Sequence, residues 1–91
     1  MKWTVILTKD NESDYYTAEC LELPGAISEG DGVDGAIEMI QEAIELWLEV
    51  AVKYNDPIPT ERVKVFKLAD LEELPDYVVT LEIPIPQAIA A

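Results

Sequence analysis

Carboxylates are the only abundant side chains in this 91-residue sequence that could carry out chemistry, with 19 Asp and Glu against six Lys and Arg and no His. Paired carboxylates can bind Mg²⁺ or act as general acid and base without histidine, provided that they converge into a cleft from different elements. The absence of histidine excludes His-based triads and His-containing zinc sites. What remains is either carboxylate chemistry or recognition by charge.

The acids are concentrated in a stretch that has no base. Residues 10–52 contain no Lys or Arg and twelve acids, which are Asp10, Glu12, Asp14, Glu19, Glu22, Glu29, Asp31, Asp34, Glu38, Glu42, Glu45 and Glu49. The last five are three or four residues apart, so on a helix they would share one face, where each like-charge pair costs about 0.2–0.5 kcal/mol. Two interpretations stay open. One is a solvated face that keeps the protein soluble, and the other is a contact surface for a basic partner, since an ordinary surface intersperses lysines.

The net charge of −13 narrows the class of partner. Affinity for a phosphate backbone or an anionic membrane comes from Lys and Arg, so neither nucleic acid nor a membrane surface is expected as a direct ligand. No apolar stretch approaches the ~20 residues that span a bilayer, and the apolar N-terminal run is too short for a signal peptide. We therefore expect a soluble cytoplasmic protein with a basic protein as its partner.

The other reactive candidates are weak. Cys20 is the single cysteine, and the neighbouring Glu19 and Glu22 disfavour its thiolate, which predicts a small core residue. The Gly30-Asp31-Gly32 run lacks the Lys-Ser/Thr of a P-loop and the third glycine of a dinucleotide fingerprint. The first predicted strand has no acid, and the helical acids point away from the apolar face. We expect no enzymatic activity, no cofactor and no metal.

The N-terminal third predicts a β-hairpin and a short third strand. Residues 2–9 alternate, with Trp3, Val5 and Leu7 on one face, and residues 15–20 are β-prone after a polar turn. Residues 26–28 are a candidate third strand, followed by a turn over residues 29–32.

The clearest element is a helix from residue 33 to about 52. Its apolar residues recur at spacings of three and four and are Val33, Ala36, Ile37, Ile40, Ala43, Ile44, Trp47, Leu48 and Ala51. Asp31 is the predicted N-cap, Lys53 lies near the C-terminal end, and Asn55-Asp56-Pro57 ends the helix.

The C-terminal third predicts one secure strand. Residues 63–68 alternate like a strand and residues 70–74 resemble a helical turn, whereas residues 77–83 are strongly β-prone. Pro84 and Pro86 remove backbone donors on one side, which predicts an edge strand. The fold class is therefore α+β, a single domain over residues 1–91, with an antiparallel sheet of three to four strands packed against one long helix in the order β-β-β-α-(β)-β.

Aromatic and apolar side chains give two further expectations. Trp3 and Trp47 are expected in the core, and of the neighbours Tyr15 and Tyr16 one should face inward while the exposed one could contact a partner. A sheet with a single helix leaves its second face open. There Ile6, Tyr15 or Tyr16, Ile83 and Ile85 would supply apolar surface for a homodimer or higher oligomer, against the repulsion of −13 on each copy.

The order of motifs resembles the HicB-type antitoxins over residues 2–59, and more loosely over the last strand. The matching segments are Ala18-Glu19-Cys20-Leu21-Glu22-Leu23-Pro24-Gly25, Ile27-Ser28-Glu29-Gly30-Asp31, the helical run 36–44, and Pro57-Ile58-Pro59. The motif positions we assign a structural role are Glu19, Cys20, Leu23, Pro24, Gly25, Ser28, Gly30, Ala36, Ile40 and Ala43.

This resemblance implies a partial ribonuclease-H-like domain that binds and neutralises a small basic toxin, HicA. That toxin has a double-stranded-RNA-binding-like fold, cleaves mRNA and carries the active histidine of the pair. The partner-binding residues expected here are Asp34, Glu38, Glu42, Glu45 and Glu49, with Tyr15 and Tyr16 as weaker candidates. Masking of the toxin's RNA-binding face would suit the acidic bias, which was found independently of the motifs.

The sequence departs from the family pattern at three positions around the helix start. Gly32 replaces a threonine, Gly35 replaces an acid, and Met39 replaces an asparagine; Gly35 costs the helix about 1 kcal/mol relative to Ala. No helix-turn-helix or ribbon-helix-helix pattern follows the last strand, so operator binding by this chain is not expected. The alternatives are an orphan HicB-fold scaffold or small-molecule-binding module, and a divergent carboxylate-metal nuclease.

Overall fold

A computed structural model describes residues 1–58 and 74–86, and in it one helix packs on a four-stranded antiparallel sheet. The elements are β1 (Lys2–Lys9), β2 (Tyr15–Cys20), β3 (Ile27–Asp31), α1 (Gly32–Lys53) and β4 (Tyr77–Glu82). The strand order is β3-β2-β1-β4. The predicted α+β class is confirmed. The strand predicted over residues 63–68, and all but the last residue of the turn predicted over 70–74, lie outside the described residues.

Strand β1 lies at the centre of the sheet and supplies the middle of the core. Its Trp3, Val5 and Leu7 are fully buried, as the alternation predicts. Val5 is aligned with Cys20 on β2 and with Val79 on β4, so these side chains lie on the same face. The Trp3 indole Nε1–H donates to the carbonyl oxygen of Ile83 at 3.0 Å. The N-terminal and C-terminal segments of the chain are thereby joined through the core.

Helix α1 covers this face and approaches β3 most closely. Its buried residues follow the predicted stripe and are Ala36, Ile40, Ile44, Leu48 and Ala51. Gly30 on β3 is buried against the first turn of the helix, where an added Cβ would overlap the carbonyl group of Gly35. Backbone can approach backbone here only because Gly30 has no side chain.

The junction between β3 and α1 differs from the prediction. The predicted third strand is present, but it spans Ile27–Asp31, so its bounds of 26–28 and the turn over residues 29–32 are wrong. Pairing of Ser28 with Ala18 and of Gly30 with Tyr16 overrides the low intrinsic β propensity of this segment. The change of direction is confined to Gly32, whose φ is +73°. Asp31 occupies the N-cap position but makes no capping hydrogen bond through its side chain.

Strand β4 is an edge strand. It pairs with β1, and within the described residues no strand pairs with its other side. The Ile83 N–H donates to the Met1 carbonyl at 3.0 Å, so the backbone of Ile83 faces β1. Because backbone groups alternate in direction along a strand, those of Pro84 and Pro86 point away from β1. The expectation that Ile83 supplies apolar surface on the open face is wrong. Ile83 lies four residues after Val79 and therefore on the same face of the sheet. It is only 4% exposed and packs in the core beneath the helix.

Candidate partner-binding surface

The five helical acids lie on the solvent side of α1. Asp34, Glu38, Glu42, Glu45 and Glu49 are all exposed. At 100° per residue they fall within an arc of about 80°, opposite the buried stripe. The helix therefore carries a continuous row of carboxylates, here called the acidic face, and the structure leaves it available to solvent or to a partner.

A second surface beside the acidic face was missed by the sequence reasoning. Leu46 is 62% exposed, and Met39 and Val50 are also exposed, on the flank of α1 that faces β3. Across from them, Ile27 at the start of β3 is 54% exposed. Between helix and strand lies an open groove of about 680 Å³, lined by Gly25, Ala26, Ile27, Ala43, Leu46, Trp47, Val50, Ala51, Asp56 and Pro57. We call it the β3–α1 groove.

The groove had a signal in the sequence. Met39, Leu46 and Val50 are apolar residues at spacings of seven and four, and they do not belong to the buried stripe. Apolar residues in excess of what one helix face can bury indicate a second contact. We assigned the helix a single apolar face and therefore overlooked this one.

The Leu23-Pro24-Gly25 motif builds one wall of the groove. The Ala26 N–H donates to the Leu23 carbonyl at 3.0 Å, and Gly25 has φ +86°, which is the pattern of a type II turn with Pro and Gly in its central positions. The Trp47 Nε1–H donates to the Pro24 carbonyl at 2.9 Å. This bond fixes the turn to the helix, so the motif positions an apolar surface and contributes no reactive group of its own.

One carboxylate, that of Glu22, has a structural role just after β2. Glu22 accepts hydrogen bonds from the Thr4 N–H and from the Thr4 hydroxyl, both at 2.8 Å, and so holds β1.

Burial, reinforced by the charge of Glu22, raises the pKa of the Cys20 thiol to about 11, although the backbone N–H groups of Leu23 and Glu22 act in the opposite direction. At neutral pH the thiol is therefore protonated. Cys20 packs in the core and is no nucleophile.

The motif positions divide between core and turn. Cys20, Leu23, Gly30, Ala36 and Ile40 are buried, whereas Glu19, Pro24 and Gly25 are exposed and Ser28 and Ala43 are half-buried. The buried members hold β2, β3 and α1 together.

The two candidate tyrosines lie on opposite faces of the sheet. Tyr16 points toward the helix side and packs against Tyr77, with ring centroids 6.0 Å apart. Burial, and then the neighbouring Tyr77, raise the pKa of Tyr16. Tyr15 is exposed on the open face of the sheet. The structure therefore does not bring Tyr15 together with the acidic face.

The described residues do not assemble a carboxylate centre. Within residues 1–58 and 74–86, no three or more His, Cys, Asp or Glu side chains are grouped so that they could hold a metal ion. In the same ranges no helix has the length and apolar character needed to cross a membrane.

The small antiparallel sheet covered by one helix places the chain in the α+β class, and its acidic face lies beside an apolar groove. The family model described as "HicB_like antitoxin of bacterial toxin-antitoxin system" matches residues 3–88. The chain therefore belongs to the HicB-like antitoxin family, as the motifs indicated.

Two relatives and one solved structure are also similar to this chain. A UPF0150 protein of Thermoplasma acidophilum is 41% identical over 61 residues, which cover 67% of this chain and 87% of the relative. A UPF0150 protein of Synechocystis sp. is 39% identical over 69 residues, covering 76% and 86% respectively. The crystal structure of the N-terminal domain of the Burkholderia pseudomallei antitoxin HicB superposes with a TM-score of 0.74 at 21% identity, over 92% of this chain and 99% of that one. At that identity the likeness establishes the fold.

Proposed function

We propose that this chain is a cytoplasmic antitoxin that binds a small basic mRNA-cleaving toxin of the HicA type and neutralises it by masking its RNA-binding face. The observation that carries the proposal is the acidic face of α1. Membership of an antitoxin family supports a toxin as partner. Charge chemistry supports a basic one.

The acidic face has the properties that a cover for an RNA-binding surface needs. Its carboxylates offer Lys and Arg side chains the charge that RNA phosphates offer them. Their row extends along most of a 22-residue helix, which is about 33 Å long. Opposite charges across such an interface accelerate association and favour basic partners over acidic ones. In this function the protein competes with RNA for the toxin and needs no catalytic group.

The proposal is tested by affinity capture of the tagged chain from extract of its own cells, followed by a ribonuclease assay on the eluate. We expect a small basic protein that elutes at high salt and whose mRNA cleavage is suppressed when the tagged chain is added back. A charge-reversed variant, with Glu38, Glu42 and Glu45 each changed to Lys, should capture far less. Capture of no basic ribonuclease from cells that carry one would refute the proposal.

A second candidate is a homo-oligomeric scaffold of the same fold. The observation that favours it is the open face of the sheet, where Tyr15 and Val78 are each about half exposed and Ile6 lies between β2 and β4. Recovery of only the chain itself in the capture experiment would favour this candidate.

A further inference from the structure

The exposed apolar side chains around the β3–α1 groove form one patch. Single exposed apolar residues are common, whereas a contiguous group beside a groove marks an interaction site. Met39, Leu46 and Val50 follow one flank of α1, and Leu46 and Val50 line the groove together with Ile27 at the start of β3. Burial of this patch under a partner would supply the hydrophobic centre that the acidic face lacks.

A second copy of the chain is disfavoured as the occupant by the charges at the adjacent sheet edge. Within the described residues no strand pairs with the outer side of β3, and its register with β2 turns the backbone of Ile27, Glu29 and Asp31 toward that side. Symmetric antiparallel pairing of two β3 strands about their centre would set Glu29 opposite Glu29, and like charges directly opposite destabilise a sheet. Each copy would also bring its net charge of −13.

The carboxylates around the groove favour a basic occupant. Glu42 and Glu49 lie one turn on either side of Leu46 along the helix, and Asp56 lines the groove itself. The apolar patch is therefore bordered by carboxylates along the helix and at its C-terminal end. A protein with apolar side chains surrounded by Lys and Arg matches this arrangement in both its centre and its rim.

We propose that the β3–α1 groove is the central contact for the basic toxin, with Leu46 and Val50 as its apolar anchors and the acidic face as the charged border that steers the toxin onto it. This inference rests on the proposed function and assigns the surface that performs it. The most tightly bound part of the interface is then the groove, and the acidic row acts mainly on the rate of association.

The test measures the binding kinetics of the captured toxin to the purified wild type and to three variants by surface plasmon resonance at two salt concentrations. The double variant Leu46→Ala, Val50→Ala should raise Kd about 30-fold or more, mostly through faster dissociation, with an unchanged salt dependence. Glu45→Gln should instead slow association and flatten the salt dependence. The matched control is Val78→Ala, a similarly exposed apolar residue on β4, and it should bind like the wild type.

Each outcome decides something. If the wild type binds the toxin and the Leu46, Val50 double variant binds equally well, the groove is wrong and the antitoxin proposal stands. If the wild type captures no basic toxin, the proposed function fails and this inference fails with it. Circular dichroism melting checks that the double variant is folded, and Leu46→Lys provides a second variant that keeps a long side chain at this exposed position while placing a cation in the patch.

Discussion

At the scale of single residues, two glycines at the junction of β3 and α1 should respond in opposite ways to an added methyl group. Gly30→Ala puts a Cβ into the backbone of Gly35 and Ala36, which cannot move without displacing the helix, so a loss of about 3 kcal/mol is expected. Gly35→Ala meets ordinary contacts at 3.6 Å and beyond, and gains about 1 kcal/mol of helix propensity. Urea unfolding of both variants measures the two signs.

The Gly35→Ala variant also tests the packing at this junction. If both variants lose the same free energy of unfolding, the junction is too tight for a methyl group on either β3 or α1. The expected gain corresponds to a rise in Tm of about 4–8 °C for a domain of this size.

Cys20 should leave a signature in the pH dependence of stability. Its pKa is raised in the folded state to about 11 from an ordinary value of 9.0. The stabilisation is therefore complete below about pH 9 and is lost as the pH rises toward 11, because the unfolded chain releases the proton first. A shift of that size corresponds to about 3 kcal/mol.

The measurement is chemical unfolding of the wild type and of Cys20→Ala between pH 8 and pH 11. The two proteins share every other titratable group, so the difference between the two curves isolates the thiol. A difference that stays flat across this window would contradict the raised pKa. The same burial predicts that a thiol reagent modifies the native protein slowly at pH 8 and the unfolded protein fast.

At the scale of elements, the acidic face should cost the helix stability that it recovers in binding. Glu45 has acidic neighbours at Glu42 and Glu49, so Glu45→Lys turns two repulsions into attractions. We expect the free energy of unfolding to rise by about 0.5–1 kcal/mol at low salt, with the gain shrinking as salt is added. The matched control is Glu45→Gln, which removes the two repulsions without adding attractions and should give about half of the gain.

The same variant should bind a basic toxin more weakly. If Glu45→Lys raises the free energy of unfolding but weakens toxin binding, the acidic row serves the partner at the expense of helix stability. If Glu45→Lys leaves toxin binding unchanged, the row is only a solvated face.

The elements differ in how well the sequence predicts them. The helix and β1 follow from periodicity, since their apolar residues repeat with the spacing of the element that buries them. The end of β3 did not follow, because Glu29, Gly30 and Asp31 have low strand propensity and pair only because β2 lies beside them. The groove was missed for a related reason. Ile27 and Leu46, which both line it, are far apart in sequence, and only the fold brings them to one cavity.

At the scale of the whole molecule, the two candidate interfaces predict opposite responses to salt. Raising the ionic strength from about 0.01 M to about 0.15 M shortens the screening length from about 30 Å to about 8 Å. Self-association through the open face, opposed by −13 on each copy, should strengthen, whereas the complex with a basic toxin should weaken. Sedimentation velocity of the chain alone and of the complex at the two salt concentrations measures both.

A single variant tests whether self-association uses the open face of the sheet. Val78→Glu places a charge at the centre of the apolar part of the open face and should leave the chain monomeric at both salt concentrations. Dimers that persist in this variant would place the contact elsewhere.

The position of β4 beside β1 has a mechanical consequence. The two strands are antiparallel, and the Ile83 N–H donates a hydrogen bond to the Met1 carbonyl. The start of β1 and the end of β4 therefore lie side by side at the same end of the sheet. A force applied to the chain beyond Pro86 would load these hydrogen bonds one after another, as in opening a zipper, and not all together in shear. Strand β4 would come off first and would expose Trp3, which donates to Ile83 in the core. A machine that unfolds proteins by pulling would therefore meet its least resistance at the C-terminal side of this molecule.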